Sequence, residues 1–289
     1  MSPAGTIKGK PQALPAISRT KENDLNPYEI LFEDDDILVA NKLAPLPVLQ
    51  DKSGDEDLQS LIKKDHPEGN AFLEAAHRID RRTSGIVVFA KNTAALRTLE
   101  EAFRDREVHK TYVACLEKEP LPPEGQLKHM IVTDPKRNLS IARPIESTPG
   151  AKASLARKAS LARKASPAIK DNPAMKGQSA VYAELSYKLL MKTERYFFVE
   201  AKPITGRHHQ IRAQFAAMGW PIKGDLKYGA RRSSQSGRIM LHGWRIEFEH
   251  PRTGEALSYT AALPTDETLW NVFADFIASP EKTAGTSID

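Results

Sequence analysis

A single carboxylate lies among basic residues in the segment 77–85, which reads HRIDRRTSG. Asp80 has three arginines and one histidine around it. Nearby positive charge favours the carboxylate over the acid, so Asp80 is suited to act as a nucleophile or base rather than as a proton donor. An aspartate that caps or salt-bridges a turn before the apolar run 86–90 would have the same spacing. The segment alone leaves both interpretations open.

A second candidate site is the basic cluster 202–212, which contains no acidic residue. Its basic members are Lys202, Arg207, His208, His209 and Arg212. A helix predicted from His208 to Met218, closed by Gly219, would add backbone N–H donors, and this combination is typical of a phosphate-binding site. The alternative is an ordinary basic helix face. Gly206 before Arg207, and Gln210 within the cluster, make it more specific than a run of charge.

Tyr112 lies in a segment, 108–117, whose alternating pattern predicts a strand. Its ring would pack in the core, which is the common role of such a residue, or would stack on an unpaired base. The sequence leaves both roles open.

Metal and nucleotide-cofactor chemistry are not indicated. The chain has one cysteine and no pair of histidines at i and i+4, and the adjacent His208 and His209 are expected to point to different faces. No glycine-rich phosphate loop is present. We therefore expect neither a metal nor a cofactor.

The composition is that of an ordinary globular protein of 289 residues, with a formal net charge of +5 and a pI of about 9.1. Cys115 is the only cysteine, which excludes an internal disulfide and favours a reducing compartment. No apolar run approaches the roughly 18 residues of a membrane span, and no secretion signal is evident. We expect a cytoplasmic protein, monomeric and without membrane contact.

The patterning predicts one interrupted domain. Residues 1–26 and 279–289 are expected to be disordered tails, and 27–278 a catalytic domain interrupted by a basic, low-complexity insertion at 144–178. Within the insertion the hexapeptide KASLAR occurs twice in succession from Lys152. The whole insertion contains seven Lys and Arg residues and two Asp and Glu residues, so its net charge is 7 − 2 = +5. The insertion is either a nonspecific phosphate-binding arm or a solvated expansion without function.

The predicted elements alternate strands with separated helices. Two strands, 28–32 and 37–40, flank a polar turn, and a helix capped by Asn92 follows the strand 86–90. Further strands are predicted at 180–191, 196–201, 239–248 and 256–261. A last helix is predicted with Thr265 as N-cap and with Leu269, Val272, Phe273 and Phe276 on its apolar face. Few strand-helix-strand repeats occur, which favours an α+β fold.

Taken together, these segments resemble the RluA-type family of RNA pseudouridine synthases. The resemblance runs from about Tyr28 to Phe276. Its motifs, in order, are EDDDILVANK from Glu33, HRIDRRTSG from His77, KTY from Lys110, TGRHHQIR from Thr205, GWPIKGD from Gly219 with Tyr228-Gly229, and LHGW from Leu241.

The resemblance implies an enzyme that isomerises uridine in rRNA or tRNA without cofactor or metal. It implies that Asp80 is the catalytic aspartate, that Arg78 displaces or holds the flipped nucleotide, that Tyr112 stacks on the uracil, and that Arg212 pairs with the aspartate. Arg207 and Gln210 are expected to bind RNA. The implied fold is a mostly antiparallel central sheet in two halves, flanked by helices, with the active cleft between the halves.

Two other functions were considered. A non-catalytic RNA-binding protein or chaperone could use the same fold with Asp80 as a structural residue. A nucleoside hydrolase would release free uracil, but glycoside hydrolysis ordinarily uses two carboxylates and an admitted water. A lone aspartate ringed by arginines favours rearrangement over hydrolysis.

Overall fold

The computed structural model describes residues 26–51, 53–68, 71–145, 179–234 and 237–279. Nearly all of the two predicted tails and of the predicted insertion lies outside these ranges. Their predicted boundaries stay predictions.

One sheet of eleven strands runs through the described part of the chain. The strands are β1 Tyr28–Glu33, β2 Ile37–Lys42, β3 Glu74–Ala75, β4 Ser84–Ala90, β5 His109–Leu116, β6 Glu124–Asp134, β7 Leu139–Pro144, β8 Val181–Lys192, β9 Phe197–Pro203, β10 Leu241–Glu249 and β11 Ala256–Thr260. Their order is β1-β2-β4-β10-β5-β9-β8-β6-β7, with β3 beside β4 and β11 beside β10. All pairings are antiparallel except that of β4 with β10.

Four α-helices lie in the same ranges: α1 Leu58–Asp65, α2 Thr93–Asp105, α3 Gln210–Ala217 and α4 Thr268–Ala278. The predicted cap of α2 is confirmed, because the Asn92 side chain accepts a hydrogen bond from the Ala95 N–H at 2.8 Å. The predicted cap of α4 is wrong. This helix begins after Glu267 rather than Thr265, and it buries Trp270 and Phe273 while Val272 is 41% exposed.

The first half of the sheet is buried on both faces. Along β2 and β4 successive side chains point to opposite faces, as the two-residue period of a strand requires. Leu38 and Val87 pack towards α1, whereas Val39 and Val88 pack towards α2. This continuous burial explains the uninterrupted apolar runs of both strands.

The second half of the sheet packs against α3 and α4. Phe198 of β9 stacks on Phe273 of α4 with ring centroids 4.7 Å apart, and Phe215 of α3 joins the same core cluster. Helix α3 is buried along almost its whole length. Its polar side chains are therefore held inside the molecule.

The two halves meet where β4 runs parallel to β10 over two residue pairs, Ser84 with His242 and Gly85 with Gly243. Gly85 has φ +120°, and a Cβ atom on it would lie 2.5 Å from the Gly243 Cα and closer still to the Gly243 nitrogen and oxygen. The contact therefore requires glycine. The predicted α+β class, with a mostly antiparallel sheet in two halves, is confirmed.

Within the described ranges, none of the helices is long and apolar enough to cross a bilayer.

Candidate functional site

Asp80 lies in the turn that leads into β4, where its carbonyl accepts a hydrogen bond from the Thr83 N–H at 2.9 Å. Its carboxylate faces the second half of the sheet, and Oδ2 accepts a hydrogen bond from Nη1 of Arg212 at 2.9 Å. The Asp80 side chain is 24% exposed and that of Arg212 is 5% exposed. Among the described residues, the Arg212 contact is the only side-chain hydrogen bond to this carboxylate, and it uses Oδ2.

Arg212 is held in place by a second, buried carboxylate. Its Nε and Nη2 donate to the two oxygens of Asp225 at 2.7 and 2.8 Å, and the guanidinium lies 4.7 Å from the ring centroid of Tyr228. Burial by itself would lower the pKa of Arg212, but the hydrogen bonds to Asp225 and the charges of Asp225 and Asp80 outweigh it and hold that pKa above its usual value. Arg212 therefore carries a fixed positive charge beside Asp80.

His209 is the residue before α3 and has a left-handed backbone, with φ 52° and ψ 26°. Its Nδ1 lies 2.9 Å from the Tyr228 hydroxyl and its Nε2 lies 3.8 Å from Oδ2 of Asp80. Burial lowers the pKa of His209 to about 3, although the Asp80 charge opposes the shift. The imidazole beside the carboxylate is therefore neutral at physiological pH.

The expectation that His208 and His209 point to different faces is wrong. Their rings stack with centroids 3.8 Å apart, because the positive φ of His209 turns the chain at that residue. His208 is exposed, and its Nδ1 lies 2.9 Å from the Ser140 hydroxyl. Burial, followed by the charges of Arg212 and Arg78, lowers the pKa of His208 against the opposing effect of Asp80.

Lys42 is completely buried beneath the Asp80 turn. Its Nζ donates to the carbonyl oxygens of Leu43 at 3.2 Å and Arg81 at 3.3 Å. Burial lowers the pKa of Lys42 to about 7, against the opposing charge of Asp80. Lys42 lies within the motif EDDDILVANK, but no role was predicted for it, because nothing in the residue type indicates burial of the ammonium group.

Tyr112 lies in β5, paired with Gly243 on one side and Ala201 on the other. A Cβ atom on Gly243 would lie 3.4 Å from the Tyr112 ring, so the glycine lets the ring lie close to β10. Burial and the nearby charge of Asp80 raise the pKa of Tyr112. The structure thus brings the tyrosine, the aspartate and Arg212 to one place.

The remaining predicted site residues divide into two groups. Arg78 is exposed at the cleft with no recorded side-chain partner among the described residues, and Arg207 is exposed with its Nε donating to the Tyr182 carbonyl at 3.1 Å. Gln210 is buried. Its Oε1 accepts from Thr205 Oγ1 and from the Arg207 N–H, and its Nε2 donates to the Glu184 carbonyl.

The Gln210 amide thus makes hydrogen bonds within the loop before α3, and one of them holds the Arg207 N–H. Its expected role in RNA binding stays a prediction. The helix also begins at Gln210 rather than at His208. Similarly, Arg81 is engaged by Asp51 and Asp55 and so belongs to the turn rather than to a phosphate contact.

One grouping of possible metal ligands occurs among the described residues. It consists of Asp34, Asp36 and His250, whose ligand atoms lie within 4.8 Å of one another. His250 Nε2 lies 2.9 Å from Asp34 Oδ2, and Asp36 accepts from Nε of Arg252 at 2.6 Å. Through these contacts, the group joins the β1–β2 turn to the β10–β11 turn by side-chain interactions. The expectation of no metal stays a prediction.

Comparisons with known proteins bear directly on this arrangement. A family model described as RNA pseudouridylate synthase matches residues 36–217. Ribosomal large subunit pseudouridine synthase C of Vibrio vulnificus is 31% identical over 278 residues, covering 93% of this chain and 76% of that protein. The chain belongs to the RNA pseudouridylate synthase family. Dual-specificity RNA pseudouridine synthase RluA of Escherichia coli K12 is 29% identical, covering 80% of this chain and 91% of that protein.

Solved structures agree on the fold of this pseudouridine synthase. Human RNA Pseudouridylate Synthase Domain Containing 1 matches with a TM-score of 0.61 and 20% identity, covering 90% of this chain and 98% of that one. Human RNA Pseudouridylate Synthase Domain Containing 4 matches with a TM-score of 0.60 and 24% identity, covering 88% and 92%. The chain is an isomerase of the class that converts uridine in RNA to pseudouridine.

Proposed function

We propose that Asp80 is the catalytic residue of this pseudouridine synthase. The observation that carries the proposal is the asymmetric engagement of its carboxylate: Oδ2 is held by Arg212 at 2.9 Å, while Oδ1 has no hydrogen bond to the described residues and the side chain is 24% exposed. A carboxylate fixed by one oxygen and open at the other is pre-oriented towards a bound substrate.

The reaction breaks the bond between C1′ of the ribose and N1 of uracil, and then joins C1′ to C5. The uracil loses its C5 proton and gains a proton on N1, so no oxidant or reductant is needed and no metal or cofactor is part of the proposal. Asp80 either attacks C1′ or removes a proton from C2′. Both routes act through the carboxylate that Arg212 holds by Oδ2.

We propose that Tyr112 stacks on the target uracil and that Arg78 displaces or holds the flipped nucleotide. The uridine must leave its base stack, at a cost of a few kcal/mol, and stacking on an aromatic ring offsets part of this. Arg78 is free to contact RNA because its side chain is exposed at the cleft. Arg207, also exposed, would contact backbone phosphate.

We further propose that the substrate is large-subunit ribosomal RNA and that the enzyme acts in the cytoplasm as a monomer. The support for the substrate is the similarity to proteins named ribosomal large subunit pseudouridine synthase C, with identities of 30–32% in Vibrio and Pasteurella species. Mapping pseudouridines in a strain that lacks the gene tests this. Loss of modification confined to tRNA would contradict it.

Replacement of Asp80 by Asn tests the catalytic assignment. The amide keeps the size of the side chain but is neither nucleophile nor base, so turnover should fall at least about 100-fold. The measurement is release of tritium from RNA labelled at C5 of uridine, with free uracil quantified in parallel.

Asp105→Asn, at the exposed end of α2, is the matched control and should leave turnover unchanged. Normal turnover by Asp80→Asn would return Asp80 to a structural role on an RNA-binding protein. Free uracil as the main product of the wild type would instead identify a hydrolase.

A further inference from the structure

The backbone of His209 is in a conformation that residues other than glycine adopt infrequently. Its φ of 52° lies in the left-handed region, and its ring makes no capping hydrogen bond to the helix that follows. Such conformations persist where the surroundings enforce them, and they concentrate at functional sites. Here the left-handed turn brings the ring to the interior, between Tyr228 and Asp80.

The tautomer of the ring follows from its contact with Tyr228. The Tyr228 hydroxyl oxygen accepts a hydrogen bond from the Ser140 N–H at 2.9 Å and lies 2.9 Å from Nδ1 of His209. No other acceptor for the hydroxyl proton is recorded in the described part of the chain, so Tyr228 donates to Nδ1. Because Nδ1 then accepts, the proton of the neutral ring resides on Nε2.

The protonated nitrogen lies on the Asp80 side. Nε2 is 3.8 Å from Oδ2 of Asp80, the same oxygen that Arg212 holds at 2.9 Å. This separation exceeds a hydrogen bond but is short enough for a small movement of the carboxylate to close it. Five charged or titratable groups surround the ring: Asp80, Arg212, His208, Lys227 and Tyr228.

We propose that His209 is a positioning residue for Asp80 and that, as the Nε2–H tautomer, it donates a hydrogen bond to the carboxylate when RNA occupies the cleft. The inference rests on the proposed catalytic role of Asp80. A neutral donor orients the carboxylate without adding a second positive charge, so the free oxygen keeps its reactivity. Ser140 and Tyr228 act through His209 by fixing its tautomer.

Two substitutions at this position separate the donor from the packing. Asn tolerates the left-handed backbone and keeps an acceptor near the place of Nδ1, but it lacks the Nε2–H donor. Gln is longer and can bring an amide N–H to the place of Nε2. In His209→Asn the single-turnover rate should fall about 10- to 100-fold, the loss expected for one hydrogen bond to a charged group.

The affinity for RNA distinguishes positioning from binding. In His209→Asn the Kd for RNA should stay within about threefold of the wild type, since the donor acts on Asp80 and not on the substrate. His209→Gln should recover most of the lost rate. His109→Asn, which changes an exposed histidine at the start of β5, is the matched control and should behave as the wild type.

Three outcomes would overturn the proposal. These are a wild-type rate in His209→Asn, a loss that appears in Kd rather than in rate, and a Gln variant as slow as the Asn variant. The ring itself provides a measurement that needs no substitution at His209. In the ¹⁵N NMR spectrum of the wild type, His209 should show a protonated Nε2 and an unprotonated Nδ1, and Tyr228→Phe should remove this preference. The opposite tautomer in the wild type would also overturn the proposal.

The experiments also separate this inference from the proposed function. Normal turnover by Asp80→Asn would refute the catalytic role on which the inference rests. Loss of turnover in Asp80→Asn together with a wild-type rate in His209→Asn would refute the inference alone.

Discussion

Arg212 donates its three recorded hydrogen bonds to two carboxylates that differ in exposure. Asp225, whose side chain is 1% exposed, takes two of them, and Asp80, which is 24% exposed, takes the third. The buried partner fixes the guanidinium so that Nη1 donates to the carboxylate of Asp80. Asp225 therefore determines where the positive charge beside Asp80 lies.

Replacement of Asp225 by Asn should destabilise the protein. The buried Arg212 would keep its charge with one compensating carboxylate instead of two, and breaking a buried ion pair in this way costs about 3 kcal/mol in the free energy of unfolding. Urea denaturation measures it. Glu119→Gln breaks the exposed pair with Lys192 at 3.0 Å and should change the free energy by less than about 1 kcal/mol. Equal effects in the two variants would contradict the assignment.

Residue type predicted part of the site and backbone conformation determined the rest. Asp80 and Arg212 could be paired from the sequence only through the family resemblance, because 132 residues separate them. The proximity of His209 to Asp80 depends on a positive φ, which no spacing indicates. The hydrogen bonds that the Gln210 amide makes within its loop were not indicated by the residue type, and its expected contact with RNA stays a prediction.

The crossing of β4 and β10 is the element that positions the two sides of the cleft. Gly85 is the second residue of β4, which follows the turn that carries Asp80, and Gly243 lies close to the Tyr112 ring. Close contact between these two glycines sets the distance between the aspartate and the tyrosine. The sequence places both glycines in motifs, but their contact is a product of tertiary structure.

Replacement of Gly85 by Ala should destabilise the fold by about 3 kcal/mol or more, because the new methyl group would overlap the Gly243 backbone and the φ of +120° is unfavourable for alanine. Thermal unfolding measures the effect. Gly206→Ala is the control, since its Cβ atom would meet only the flexible Lys110 ammonium at 3.6 Å. A Gly85→Ala protein as stable as the control would show that β4 and β10 can separate without loss.

Elements with a strong local signal were predicted and those without one were missed. The β1–β2 pair and α2 have clear alternation or a capping residue, and both were confirmed. Strands β6 and β7 were missed, because β6 carries glycine, lysine and histidine at irregular positions. The eight-residue α1 was also missed, since two buried residues give little periodicity. Tertiary packing stabilises these three elements.

Buried neutral histidines make the stability of the whole molecule depend on pH. Burial lowers the pKa of His129 to about 4 and those of His77, His209 and His242 to about 3. In the unfolded chain the same groups titrate near 6.5, so between about pH 6.5 and 4 the unfolded state binds more protons than the folded state. The free energy of unfolding that the neutral histidines contribute above pH 6.5 is therefore lost as the pH falls through this range.

Stability should decrease as soon as the pH falls below about 6.5, before the carboxylates begin to titrate. Each of the four histidines contributes on the order of 1 kcal/mol per pH unit in this window. Thermal unfolding at pH 7.5, 6.5 and 5.5 measures it. His242→Asn, which keeps an acceptor for Ser84, should reduce the slope by about a quarter. A stability that is constant down to pH 5 would contradict the assignment of neutral buried rings.

The strand order has a consequence for how much of the chain the enzyme needs. Asp80 lies in the turn before β4, and Tyr112 lies within β5. These two strands are not neighbours in the sheet, because β10 lies between them and pairs with both. A chain that stopped at residue 234 would contain all six residues predicted for the site and would still lack the strand that brings them together. Activity should therefore appear only after the ribosome has released β10, which makes catalysis a property of the completed chain.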